Sequence, residues 1–274
     1  MKDVQNEKDH RNITVDQVGV TGIRYPITVL DRQNEFQQTV ADVSMTVQLN
    51  PEFKGTHMSR FLEVLNHHRG KITMENIPKI IDQMQETLES ERAMIDIQFP
   101  YFIEKKSPVT ASLSLFPVDI LFSGFGCNGN TNNFILGIKV PVTTLCPCSK
   151  EISEDGAHNQ RSFVTVYTSF KKFIWIEEIV SVIEQSASCE IYPLLKRSDE
   201  KYVTEKAYAT PQFAEDIVRN ITERLQQDNR LHWYMIETLH LESIHVHNAY
   251  ARIERFNKET NALHEHLRFF KGLQ

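Results

Sequence analysis

The sequence predicts an α+β protein built from two β-β-α-α-β-β units with antiparallel sheets, one unit in each half of the chain. Three observations lead to this prediction. Apolar and polar residues alternate in several segments, helical stripes lie between those segments, and the second half repeats the order of the first. Sequence identity between the halves is not apparent, so the predicted repeat is one of topology.

In the first half the strongest strand signal lies at residues 41–49, where every second residue is apolar. Two stretches with helical spacing follow, and the first of them stops before Gly70, which is a typical residue after a helix end. Alternation then returns twice. The predicted order is a strand at 23–30, a strand at 41–49, helices at 58–65 and 77–88, and strands at 93–99 and 111–115.

The second half shows the same kinds of pattern. Thr210 and Pro211 predict a helix start, with threonine as the N-cap and proline in the first turn. Apolar residues on one face continue that helix to residue 225. The remaining predictions are strands at 134–145 and 163–170, a helix at 175–183, and closing strands at 231–242 and 244–255.

Composition excludes several classes of protein. The chain has 274 residues, a net charge of −6 and four cysteines. Four cysteines are too few for a disulfide scaffold, and the negative charge argues against a protein that coats nucleic acid. Residues 1–19 are polar and do not resemble a signal peptide, and no apolar run approaches the roughly 18 residues of a membrane helix. We therefore expect a cytoplasmic protein without nucleic-acid or membrane partners.

The predicted organisation has four parts: a flexible arm at 1–19, a first module at 20–130, a second module at 131–256 and a tail at 257–274. Antiparallel sheets with helices on one face have open edges, and other subunits are one way of covering them. We therefore expect the chain to form an oligomer.

The segment with most chemical information contains Cys146, Cys148 and, twelve residues after the first thiol, His158. Thiolate and imidazole are ligands that zinc binds readily, and three protein ligands with one open position are typical of a catalytic site. A free pair of thiols in a turn explains the spacing equally well, because Cys-x-Cys is less diagnostic than paired Cys-x-x-Cys motifs.

Other polar groups permit either a functional or a structural interpretation. His245 and His247 would point to one side of a strand and could transfer protons, or they could lie on an exposed polar face. Glu200 lies in a charged loop that could simply be solvated, and Glu215 could simply interact with a helix dipole. Arg60 at a helix start could cap the helix or bind an anion.

Taken together, four segments resemble the type IB GTP cyclohydrolase I family, over a stretch from about residue 20 to residue 256. They are Gly55-Thr-His-Met-Ser-Arg60-Phe, Cys146-Pro-Cys148 with His158, Asp199-Glu200-Lys-Tyr-Val-Thr-Glu, and Ser243-Ile-His-Val-His-Asn-Ala-Tyr-Ala251. The resemblance implies the tunnelling fold, with two modules per chain and a barrel-like homotetramer that has its active sites between subunits. It also implies a divalent metal, which would be zinc, manganese or iron.

The resemblance further implies hydrolysis of GTP to 7,8-dihydroneopterin triphosphate and formate in the synthesis of folate-type pterins. Metal-bound water would attack guanine C8, and ring opening, rearrangement and cyclisation would follow. The implied metal ligands are Cys146, His158 and Glu200, with Cys148 as an alternative ligand or a catalytic group beside the metal. The implied roles of the others are proton transfer for His245 and His247, guanine binding for Glu215, and triphosphate binding for Arg60, Lys150 and Arg161.

Three alternatives stay open. A nitrile reductase of the same fold would use a cysteine nucleophile and NADPH instead of a metal. An archaeal-type GTP cyclohydrolase would form a cyclic phosphate from the same substrate. A non-enzymatic module would use the thiols only to hold a structural metal.

Overall fold

The computed structural model describes residues 5, 7–70, 72–127, 130–258 and 260–273. The chain divides into two compact units. Unit 1 comprises Met1–Pro100, Leu121–Leu136 and Glu259–Gln274, and unit 2 comprises Tyr101–Ile120 and Gly137–Lys258. No helix in the described ranges is both long and apolar enough to cross a membrane.

Unit 1 has two long strands, two helices and the tail helix. Its elements are β1 Val15–Asp31, β2 Glu35–Leu49, α1 Met58–His67, a 3-10 turn Met74–Asn76, α2 Ile77–Thr87 and α7 Asn261–Phe269. Three further strands contribute residues to both units: β3 Arg92–Lys106, β4 Leu113–Cys127 and β5 Asn130–Leu145.

Unit 2 contains most of the helices. Its elements are α3 Pro147–Ile152, β6 Asn159–Phe170, α4 Ile176–Ser186, β7 Cys189–Glu190, α5 Arg197–Ala209, α6 Ala214–Leu225, β8 Leu231–His240 and β9 Ala249–Phe256. Apolar faces of α4 and α6 are buried, as is Trp233 on β8. These faces are the ones that the helical spacing of the sequence predicts.

The predicted fold class is wrong. The strands do not form one sheet per half of the chain; they form a single nine-stranded antiparallel sheet in the order β1-β2-β3-β4-β5-β6-β8-β9, with β7 paired to β5. The second half also departs from β-β-α-α-β-β, because α3, β7 and α5 are additional elements. Periodicity identifies strands from neighbouring residues, whereas strand pairing depends on contacts between distant residues.

Several local predictions need smaller corrections. The helix expected to start at Thr210 begins at Ala214, with Phe213 at the N-cap. Thr210 lies instead at the C-cap of α5, where its hydroxyl donates to the carbonyl oxygens of Lys206 and Ser188 at 2.6 and 2.8 Å. The strands expected at 111–115 and 244–255 begin later, at Leu113 and Ala249.

The core of unit 1 requires glycine at one position of β4. A Cβ atom on Gly124 would lie 2.3 Å from Cγ2 of Ile77 and 2.8 Å from Cδ1 of Ile81, both on α2. Ile95 of β3 would be 3.3 Å away. The missing side chain therefore lets α2 approach the sheet closely, as expected for a strand glycine beside another element.

Candidate functional site

Cys146 and His158 lie on neighbouring segments of unit 2. Cys146 follows β5 as the N-cap of α3, where its Sγ accepts a hydrogen bond from the backbone N–H of Ser149 at 3.4 Å. His158 directly precedes β6, and its carbonyl oxygen accepts a hydrogen bond from the backbone N–H of Cys146 at 3.1 Å. Two of the three predicted metal ligands are therefore close together, because both occur at the ends of strands.

The His158 ring is surrounded by polar groups. Its Nδ1 lies 3.1 Å from Oε1 of Gln160 and 3.4 Å from Oγ of Ser243, and 3.9 Å from Oε2 of Glu242. An amide oxygen accepts and cannot donate, so the contact with Gln160 favours the tautomer with its proton on Nδ1. Nε2 then carries the lone pair, which is the arrangement commonly found in histidines that bind metals.

Glu242 is a site residue that sequence reasoning missed. Its carboxylate is only 11% exposed and lies beside His158, at the start of the loop that joins β8 to β9. The available signal was its position immediately before the Ser243 to Ala251 segment.

The predicted ligand Glu200 is not part of this cluster. It lies in the first turn of α5 and is exposed. Within the residues that the structure describes, no group of three His, Cys, Asp or Glu side chains could hold a metal ion. The donor chemistry of Cys146 and His158 fits two positions of a divalent metal site, and the described chain does not supply the third beside them.

Asp199, next to Glu200, holds the start of α5 in place. Its buried carboxylate accepts hydrogen bonds from the backbone N–H groups of Val109 (2.8 Å), Thr110 (2.9 Å) and Lys196 (2.9 Å), and from the Thr110 hydroxyl (2.6 Å). Burial raises the pKa of Asp199, but these hydrogen bonds outweigh it and hold the pKa well below its ordinary value. The carboxylate is therefore a structural anion that sets the position of Glu200.

Glu215 lies in the first turn of α6 and is exposed, so a ligand can reach its carboxylate. The segment before it contacts residues 145–148, here named the thiol loop, because the backbone N–H of Gln212 donates to the carbonyl oxygen of Leu145 at 3.1 Å. Burial lowers the pKa of His240, at the end of β8, to about 4, and the charge of Glu215 partly opposes this shift. Glu215 therefore lies close to both the thiol loop and the end of β8.

His245 and His247 stack against each other, with ring centroids 5.0 Å apart and an interplanar angle of 13°. The two rings lie side by side, but not for the predicted reason, because they belong to the loop between β8 and β9 and not to a strand. Both residues are exposed.

A cavity of about 430 Å³ lies in unit 2 beside these segments, and its lining includes Arg161, Asn159, Tyr192, Thr204 and Tyr208. Lys150 borders this region: its Nζ donates to the carbonyl oxygen of Tyr208 at 2.6 Å and lies 4.4 Å from the centre of the Tyr208 ring. Two of the three predicted phosphate-binding cations are therefore near one opening.

The remaining candidates lie in different surroundings. Arg60 belongs to unit 1, where its Nη1 donates to the carbonyl oxygen of Thr87 at 3.1 Å and lies 4.0 Å from Glu89. Cys148 is an exposed thiol in α3. Cys189 differs from it, because burial and the neighbouring Glu190 carboxylate raise the pKa of that thiol to about 12. Cys189 therefore stays protonated and is a poor nucleophile or metal ligand.

Comparisons of the sequence with a family model and with individual proteins all find similarity to GTP cyclohydrolases of the FolE2 type. The family model described as type I GTP cyclohydrolase FolE2 matches residues 1–251. The GTP cyclohydrolase FolE2 of Syntrophus aciditrophicus is 53% identical over 255 residues, which are 93% of this chain and 100% of the relative. That of Magnetococcus marinus is 51% identical over 254 residues, 93% of this chain and 96% of the relative.

Among solved structures, a hyperthermostable mutant of the urate oxidase of Bacillus sp. TB-90 is similar, with a TM-score of 0.51 and 8% identity. The similarity covers 89% of this chain and 99% of that one. The uricase of Arthrobacter globiformis has a TM-score of 0.47 at 7% identity, over 90% of this chain and 96% of that one. At such low identity the first likeness concerns the fold alone, and it supports a urate-oxidase-like fold in place of the two-module prediction.

Proposed function

The chain belongs to the FolE2 family of type I GTP cyclohydrolases, and we propose that the loops at one end of unit 2 carry its reaction. The chain is thus a GTP cyclohydrolase of folate biosynthesis. One observation supports the location: the hydrogen bonds from Cys146 to His158 and from Gln212 to Leu145 bring the thiol, the imidazole and the start of α6 together. We further propose that the chain is a type IB enzyme.

We propose Cys146, His158 and Glu200 as ligands of a divalent metal, which would be zinc, manganese or iron. Because Glu200 lies outside the cluster of Cys146 and His158, it would be contributed by a second copy of the chain. The support is the shared position of the first two and the hydrogen bond from His158 to Gln160, which leaves Nε2 for the metal. When bound, such a metal supplies a Lewis acid that makes water a better nucleophile near neutral pH. Cys148, exposed two residues from Cys146, is the proposed alternative ligand or catalytic group.

The third ligand can be tested by metal content. We expect Glu200→Gln to lower the metal bound per chain severalfold, because an amide is a weaker ligand than a carboxylate. Glu205→Gln is the matched control, since Glu205 lies on the same helix, is also exposed and forms an ion pair with Lys201. Metal analysis after purification is the measurement. Full metal in Glu200→Gln together with loss in Glu242→Gln would assign the third position to Glu242.

The chain's own groups then account for the other requirements of the reaction. The two oxygens of Glu215 can accept both N–H groups of the guanine N1 and 2-amino edge, which a neutral side chain cannot do. Hydrolysis and rearrangement need repeated proton transfer, and the stacked rings of His245 and His247 supply two adjacent bases for it. Arg161, Lys150 and Arg60 are the proposed cations for the triphosphate.

We also propose a cytoplasmic homotetramer with active sites shared between subunits. The exposed positions of Glu200, His245 and His247 support this, because each side chain remains open to residues of a second copy. A protein with a net charge of −6 must gather cations locally to bind a triphosphate, and a subunit boundary is one place to do so.

The function is tested by incubating metal-loaded protein with GTP and following formate release together with the fluorescence of the oxidised pterin. We expect metal-dependent formation of both, with 7,8-dihydroneopterin triphosphate identified by its mass. A cyclic phosphate product would favour the archaeal-type activity. Absence of turnover with zinc, manganese and iron would contradict the proposal.

A further inference from the structure

A second polar cavity, of about 290 Å³, lies in unit 1, outside the site described above. Side chains of β2 and β3 form one wall, including Ser44, Thr46, Asp96 and Gln98. The other wall is the C-terminal segment, with Phe269 and Lys271. This C-terminal wall follows residue 251, where the match to the cyclohydrolase family ends, whereas the strand wall lies within the matched residues.

The C-terminal segment is held firmly against the sheet. Leu263 and His266 of α7 are buried, and Oγ of Ser123 lies 2.9 Å from Nε2 of His266. The ring of Phe125 stacks on His266 with centroids 5.4 Å apart. Burial lowers the pKa of His266 to about 3, so the ring is neutral near pH 7 and its packing does not depend on a charge. Helix α7, which leads into the second wall, is therefore packed against the sheet.

Asp96 presents an unused acceptor in this cavity. Its Oδ1 is buried and has no hydrogen-bond partner in the described part of the chain. Burial raises the pKa of Asp96 to about 6, against a hydrogen bond from Ser123 and the charge of Lys271, so the carboxylate is mostly ionised above pH 7. An ionised oxygen without a partner is costly unless a donor reaches it.

Lys271 provides the opposite charge on the other wall. The charge of its ammonium lowers the pKa of Asp96. Within the described residues, however, the two side chains do not form an ion pair shorter than 4.0 Å. Among the described residues that line the cavity, Asp96 is the anion and Lys271 the cation, and neutral hydroxyl and amide side chains line the rest of the polar surface. A purely cationic ligand would meet Lys271, and a purely anionic ligand would meet Asp96.

We propose that this cavity binds a small zwitterion with one primary ammonium and one carboxylate, of the free amino-acid class. The ligand ammonium donates to Oδ1 of Asp96, and the ligand carboxylate accepts from Nζ of Lys271. Hydroxyl groups of Ser44 and Thr46 and the amide of Gln98 serve its neutral polar atoms. Charge-assisted hydrogen bonds at both ends give selectivity over ligands that have only one charge.

The test is a thermal-shift screen of the full chain with each of the twenty free amino acids, followed by calorimetric titration of any that raise the melting temperature. We expect at least one to bind, and we expect its N-acetyl and amide derivatives to bind at least tenfold more weakly. Lys271→Gln and Asp96→Asn should each weaken binding tenfold or more. Lys79→Gln is the control, because Lys79 is a lysine of the same unit outside the cavity, in contact with Asn76.

Three results would overturn the proposal: no amino acid binds, the singly charged derivatives bind as tightly as the parent, or Lys271→Gln binds like the wild type. Lys271 is exposed and lies outside the helices and strands, so Lys271→Gln tests the proposal even if Asp96→Asn does not fold. The readout is binding and not GTP turnover, so the result is independent of the proposed reaction.

Discussion

Cys146→Ala is expected to remove most of the bound metal and to lower GTP turnover by about two orders of magnitude or more. The thiol lies at the N-cap of α3, and the backbone N–H of Cys146 is tied to the carbonyl of His158. A replacement without sulfur leaves the imidazole in place but removes the softest proposed ligand. Metal content and formate release, measured on the same preparation, are the two readouts.

Two controls separate loss of the ligand from damage to the fold. Cys146→Ser keeps an oxygen that can accept the Ser149 N–H, so it preserves the helix cap, which is worth about 1 kcal/mol. Cys127→Ala removes a half-buried thiol of unit 1 and should retain metal and turnover. Metal and turnover at wild-type levels in Cys146→Ala would show that this thiol is not a ligand.

Local structure could be predicted from the sequence wherever one face of an element is apolar. The strand expected at 41–49 lies within β2, and the helix expected at 175–183 corresponds to α4. Helix α5 was missed because only Asp199 and Ala207 are buried along it, so its sequence shows almost no apolar stripe. Its start is held by hydrogen bonds to Asp199 from residues about ninety positions away, which no local pattern reveals.

The arrangement of strands was mispredicted for a related reason. A regular order of elements predicts two modules, each with its own sheet, but the pairing of strands into one sheet depends on which edges meet after folding. The proximity of Cys146 and His158 agrees with their spacing in the sequence, since both adjoin strand ends that pairing brings together. Glu242 reaches His158 from the end of another strand, and a contact of that kind is invisible in a single sequence.

Glu215→Gln is expected to weaken GTP binding at least about 30-fold while leaving the bound metal unchanged. A carboxylate accepts two N–H groups from the guanine edge, whereas an amide offers one acceptor and turns a donor toward the second N–H. Losing one charge-assisted bond and placing two donors against each other in the complex together cost at least about 2 kcal/mol. Calorimetric titration with a non-hydrolysable GTP analogue and metal analysis are the measurements.

Glu223→Gln is the matched control for this prediction. Glu223 lies on the same helix, is also exposed and undergoes the same change of charge, but it lies about two helical turns after Glu215. Any general effect of net charge on binding a triphosphate would appear equally in both variants. If Glu215→Gln lost metal and kept its affinity for the analogue, the carboxylate would belong to the metal site, and guanine recognition would have to come from other residues.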